Sequence, residues 1–96
     1  MHRLELSELA AAQLHAMIAE LSLPSDTRDR ARKSLRPLMN YPLSGPALSG
    51  SWQGFRFILG PWSWMILVYV VLKDPDRVVV VSIEDARSSS SATNER

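Results

Sequence analysis

The densest group of side chains able to do chemistry is "RDRARKSLR", residues 28 to 36. Arg28, Arg30, Arg32, Lys33 and Arg36 stand there against one carboxylate, Asp29, a local net charge of +4. The whole chain carries only +1, so the remainder sums to −3. A basic stripe on a near-neutral protein attracts a nucleic acid or an acidic protein; the plainer reading is a solvated helix face. Trp62 and Trp64 add two aromatic planes. They could stack on bases, pack into the core or meet a partner. His2 and His15 lie far apart without ligand spacing, and there is no cysteine. No metal, disulfide framework or cofactor is expected from such a set.

The elements that position these groups follow from periodicity. "RLEL" at 3–6 alternates, which predicts an edge strand with Leu4 and Leu6 inward and Arg3 and Glu5 outward. Ser7 can cap a helix whose stripe is Leu14, Met17, Ile18 and Leu21. Pro24 stops that helix near Ser22. Ser25 or Asp26 starts a second helix with Ala31, Leu35, Leu38 and Met39 inward, and Pro37 kinks it or opens a separate last turn. Residues 40–51, dense in Pro, Gly and Ser, read as a loop. "WQGFRFIL" at 52–59 alternates again, with Phe55, Phe57 and Leu59 on one side and Gly54, Arg56 and Ile58 on the other.

The segment "WSWMILVYVVL" at 62–72 is apolar without a break from Trp64 to Leu72. As a helix it would span about 16 Å, about half of a bilayer's hydrocarbon core. Its Val, Ile and aromatic content fits a pleated strand covered on both faces. "KDPD" at 73–76 then turns the chain into a second such run, "RVVVVSI" at 77–83, making a hairpin. The Ser-rich end, 88–96, reads as disordered.

One domain is expected over residues 3–87, in the order βααβββ. The class is α+β: two N-terminal helices packed on one face of a small, mainly antiparallel four-stranded sheet. Two helices cannot cover both faces of strands that are apolar on both sides. Apolar surface should therefore remain for a partner.

This order resembles the RelE/ParE superfamily of toxins from type II toxin–antitoxin modules. The resemblance is carried by "PLMNYPLSGPALSG" at 37–50, "GFRF" at 54–57, "ILVYVV" at 66–71 and "VVVVSIEDAR" at 78–87. It implies a cytoplasmic, growth-arresting protein held inactive by a cognate antitoxin, without a membrane partner. RelE-like members act on mRNA at the ribosome; ParE-like members poison DNA gyrase.

For RNA cleavage the resemblance points to Arg56 and Arg87 as a phosphate clamp, with Glu84 as the carboxylate beside them. Arg28, Arg30, Arg32, Lys33 and Arg36 would grip RNA, and Leu14, Met17, Trp62 and Trp64 would meet the antitoxin. Arg56 has a structural alternative, pairing with a carboxylate such as Glu84. Where RelE-like members commonly carry Arg before "LVY", this chain has Ile66, and no Tyr follows Tyr69. Those departures keep open gyrase binding without catalysis, and a member that only binds its antitoxin.

Overall fold

The computed structural model describes residues 2–88 and 91–94. Strand β1 is Arg3–Leu6. Helix α1, Glu8–Glu20, begins where the Ser7 side chain accepts a hydrogen bond from the Ala10 amide at 3.0 Å. Helix α2 is Thr27–Leu35, followed by a 3-10 turn, Arg36–Met39, with Pro37 in its first turn. Strands β2 (Arg56–Leu59), β3 (Met65–Leu72) and β4 (Arg77–Asp85) complete the expected βααβββ order.

The sheet runs β1-β4-β3-β2. The β2–β3 and β3–β4 pairs are antiparallel, and β1 joins β4 in parallel. A parallel partner requires a long crossover, which the two helices supply. The second strand is shorter than its alternating pattern suggests. Gly50 and Gly54 take φ of +65° and +94°, so Gly50–Trp52 forms a 3-10 turn and pairing with β3 starts only at Arg56.

The helices cover one face. Ala10, Leu14, Ala31, Leu35 and Leu38 pack on Met65, Leu67, Tyr69, Val78, Val80 and Ile83. Each Leu, Val, Ile or Met among them contributes about 1.5–3 kcal/mol by leaving water. A bulge between Val68 and Tyr69 resets the alternation of β4, which is why Val80 and Ile83 share a face.

The second face departs from expectation. Rather than lying bare for a partner, Ile66 and Val68 are buried beneath Leu48, Trp52, Phe55, Phe57 and Ala92. The chain folds its own loop and its own Ala92–Asn94 turn over the centre of that face. The count of two helices missed this cover because loop residues can shield a sheet as well as helices can. The Ser-rich segment read as disordered falls partly on residues 89, 90, 95 and 96, outside the described residues; Ser91 and Ala92 are buried. Among the described residues no helix is long and apolar enough to cross a membrane.

Candidate functional site

Arg56 opens β2 beside the Pro- and Gly-rich loop. One guanidinium nitrogen donates to the carbonyls of Gly45, at 2.8 Å, and Leu43, at 3.3 Å. Its register partner Tyr69 is fully buried, yet its hydroxyl is satisfied. That hydroxyl donates to the Pro42 carbonyl at 2.7 Å and accepts from the Gly45 amide at 3.0 Å. Burial pushes the Tyr69 phenol above its usual range; the Gly45 amide and the Arg56 charge pull it partly back. Gly45 has no room for more. An added Cβ would stand 2.3 Å from the Phe57 carbonyl oxygen and 2.7 Å from the Tyr69 hydroxyl. Arg56 is thus a loop-holding arginine, and its partners are backbone carbonyls rather than Glu84.

Glu84 lies on the opposite face, where its carboxylate accepts from the Ser82 hydroxyl at 2.8 Å and the Ala92 amide at 2.7 Å. Arg87, past the end of β4, forms a two-pronged pair with Asp85 at 2.7 and 2.9 Å. The Arg87 side chain and amide hold the exposed Asp85 carboxyl below its ordinary range, and Asp85 in turn raises Arg87. The three residues assigned to cleavage do not converge. Arg56 pairs with Tyr69, while Asp85 pairs with Met65 across the other side of β3. Strand spacing and rise put Arg56 about 10 Å across and about 14 Å along the sheet from Asp85. The linear order placed Arg56 on the second strand and Arg87 just after the last but carried no register.

Arg87 also lies over the Trp64 ring, 4.6 Å from its centroid. Trp64 stacks on Trp62 at 5.9 Å with planes 13° apart, and Arg30 of α2 covers Trp62 at 5.8 Å. The four form a ladder, Arg30–Trp62–Trp64–Arg87, joining α2, the β2–β3 connection and the end of β4. The rings are half-buried against the core and occupied by each other and by cations. They hold elements together; they do not present open faces for bases.

The remaining candidates divide in two. Leu14 sits in the core at 3% exposure, so it meets a partner only through the floor of a cleft. Met17 is half-buried and borders a second cleft between α1 and the end of β4. On α2, Arg30 is engaged by Asp26 at 3.0 Å as well as by Trp62. Arg28 donates toward His15 at 2.9 Å. Arg32, Lys33 and Arg36 are exposed. Arg28, Arg32 and Arg36 recur every four residues and form one line on the helix and its following turn. They flank clefts of about 270 Å³ and 450 Å³ beside β1. No group of three or more His, Cys, Asp or Glu among the described residues could hold a metal.

The sequence reading missed the double hydrogen bond of Tyr69 and the covered β2 edge. A tyrosine inside an apolar run was the available signal, since a buried phenol needs a partner.

No family model matches the chain, and no curated protein sequence matches it. Solved structures do. A chain of the chromosomal ParDE toxin–antitoxin system from P. aeruginosa superposes with a TM-score of 0.69 at 16% identity, over 91% of this chain and 98% of that one. The solution structure of the hypothetical protein HP0894 from Helicobacter pylori gives a TM-score of 0.61 at 18% identity, covering 88% and 94%. This chain shares the fold of those two structures over most of its length.

Proposed function

We propose that this chain is the toxin of a type II toxin–antitoxin module, acting on its target by binding and neutralised by a cognate antitoxin. The fold shared over nearly the full length with a chain of a ParDE toxin–antitoxin system supports the toxin reading. The observation that carries the choice of mechanism is the separation of Arg56, Glu84 and Arg87. Each is held by its own partners, and the three do not bring phosphate-binding cations to a shared proton acceptor. Cleavage through a 2′-hydroxyl needs charge stabilisation and proton transfer within hydrogen-bond reach of one phosphate. A gyrase-type target, held by surface complementarity, needs neither.

The second reading is ribosome-dependent mRNA cleavage. The exposed cations Arg28, Arg32, Lys33 and Arg36 favour it, because such a stripe suits a phosphate backbone.

Inducing the chain in a bacterial host separates the readings. Growth arrest with DNA breaks or altered plasmid supercoiling, and intact transcripts, is the expected result. Cut transcripts would replace binding with cleavage, and uninterrupted growth would remove the toxin reading itself.

A further inference from the structure

The loop between the 3-10 turn at 36–39 and β2 joins a fixed backbone to exposed apolar side chains. The carbonyls of Tyr41, Pro42, Leu43, Gly45 and Pro46 all accept hydrogen bonds from within the chain. Their donors are the Ser44 amide, the Tyr69 hydroxyl, Arg56 twice and the Phe57 amide. The Tyr41 amide returns to the Pro37 carbonyl at 2.9 Å, and the Gly45 amide to Tyr69. The chain then runs on beside β2, where the Leu48 amide donates to the Phe55 carbonyl and Ala47 is bridged to Arg56. Surface loops ordinarily leave such groups to water and stay mobile.

Tyr41 and Leu43 project from that frame. They are 70% and 63% exposed, the highest values among the described large hydrophobic residues. Neither belongs to a core cluster, so folding does not account for their bulk. A side chain displayed on a fixed backbone loses little further entropy when a partner covers it, which lowers the ordering cost of association. Tyrosine is among the residues that dominate such contacts.

The charge around the loop is one-sided along the chain. From Arg30 to Lys73 stand six cations, Arg30, Arg32, Lys33, Arg36, Arg56 and Lys73, and no carboxylate. Arg36 opens the turn that leads into the loop, and Arg56 lies beneath it. A second copy of this chain would bring like charges together there. A nucleic acid would suit the charge but gains most from stacked rings. Leu43 offers none, and Trp62 and Trp64 are occupied by each other and by arginines.

We propose that Tyr41 and Leu43 are the anchors by which this chain grips its target, a protein surface with an apolar recess bordered by carboxylates. The two side chains fill the recess, and Arg36 and Arg56 face its acidic border. The inference rests on the proposed reading in one respect: the protein gripped is the one whose inhibition arrests growth.

The test induces the full chain, without any antitoxin, in a bacterial host, and adds the purified chain to purified gyrase in a supercoiling assay. Tyr41→Ala/Leu43→Ala should abolish arrest and raise the inhibitory concentration about a hundredfold, the effect of truncating two anchors. Its thermal unfolding midpoint should match the wild type, because neither residue lies in the core. Tyr41→Phe/Leu43→Met keeps the apolar bulk and should retain both activities, which decides the matter even where the alanine variant is unstable. Leu9→Ala, at an exposed leucine of α1, should change neither readout. Loss of arrest in the alanine variant, with intact transcripts throughout, supports the inference. Full arrest by that variant overturns it and leaves the toxin reading standing. An inactive phenylalanine–methionine variant or an equal loss from Leu9→Ala overturns it as well. So do cut transcripts that the alanine variant no longer produces, since the loop would then meet nucleic acid. A wild-type chain that never arrests growth removes the toxin reading alone if it still inhibits gyrase through Tyr41 and Leu43. It removes both if gyrase is untouched.

Discussion

The two borders of one small sheet follow opposite strategies. Beside β2, residues 46–48 are fastened by main-chain bonds, and residues 42–45 just before them by the Tyr69 hydroxyl and by Arg56. Beside β1, among the described residues, the outer side carries one main-chain bond, from His2 to Met39, and arginines line the approach. The lesson is that shielding is local. A sheet border sealed by buried hydrogen bonds should tolerate little change, whereas a border lined by exposed charged side chains should tolerate more.

Four variants sharpen or break that contrast. Gly45→Val should have the largest effect, because its Cβ collides with the Phe57 carbonyl and with the Tyr69 hydroxyl, which already makes two hydrogen bonds. A loss of about 3 kcal/mol or more is expected from forced displacement in a packed site, read by urea unfolding. Near wild-type stability would mean the 46–48 segment is not held as described.

Tyr69→Phe comes next. It leaves the Gly45 amide and the Pro42 carbonyl without their partner, at a cost of about 1–3 kcal/mol. The phenol's pKa is higher in the folded chain than its ordinary 10.0. The stability it supplies is therefore complete below the unfolded value and declines as pH rises through the folded one. The gap between wild type and Tyr69→Phe, followed by denaturant titration, should narrow as pH climbs above 10.0. A constant gap would show that the hydroxyl does not anchor the loop.

Arg56→Ala should cost about 1 kcal/mol, since charge-assisted bonds to two carbonyls are partly offset by solvent at a half-exposed site. Hydrogen exchange should quicken at the Leu48 amide. Unchanged exchange there would return Arg56 to the pool of candidate phosphate ligands. At the other border, Arg32→Glu with Arg36→Glu should alter stability by no more than about 0.5 kcal/mol per site, because neither side chain is buried. A large loss by thermal unfolding would erase the distinction between a sealed and an open border.

The elements were legible in the sequence where one physical rule dominated. The cap at Ser7, the stop before Pro24 and the turn at residues 73–76 appear as read. The β2 boundary was not legible, because alternation from Trp52 onward could not reveal the positive φ at Gly54. The shelter over Ile66 and Val68 was hidden for a related reason: it comes from Leu48, Trp52 and Ala92, which are distant in sequence and lie in segments without periodicity. Among the candidate residues, Arg56 and Arg87 were identified by charge, but their partners depend on register, which composition does not encode.

The tryptophan ladder makes the molecule its own optical gauge. Two of the three indoles lie nearly parallel and within coupling distance, so circular dichroism should carry an exciton signal from that pair alone. Because the rings are clasped by Arg30 from α2 and Arg87 from the end of β4, the signal reports whether three separate stretches of chain are assembled. It should vanish as soon as any one of them comes loose.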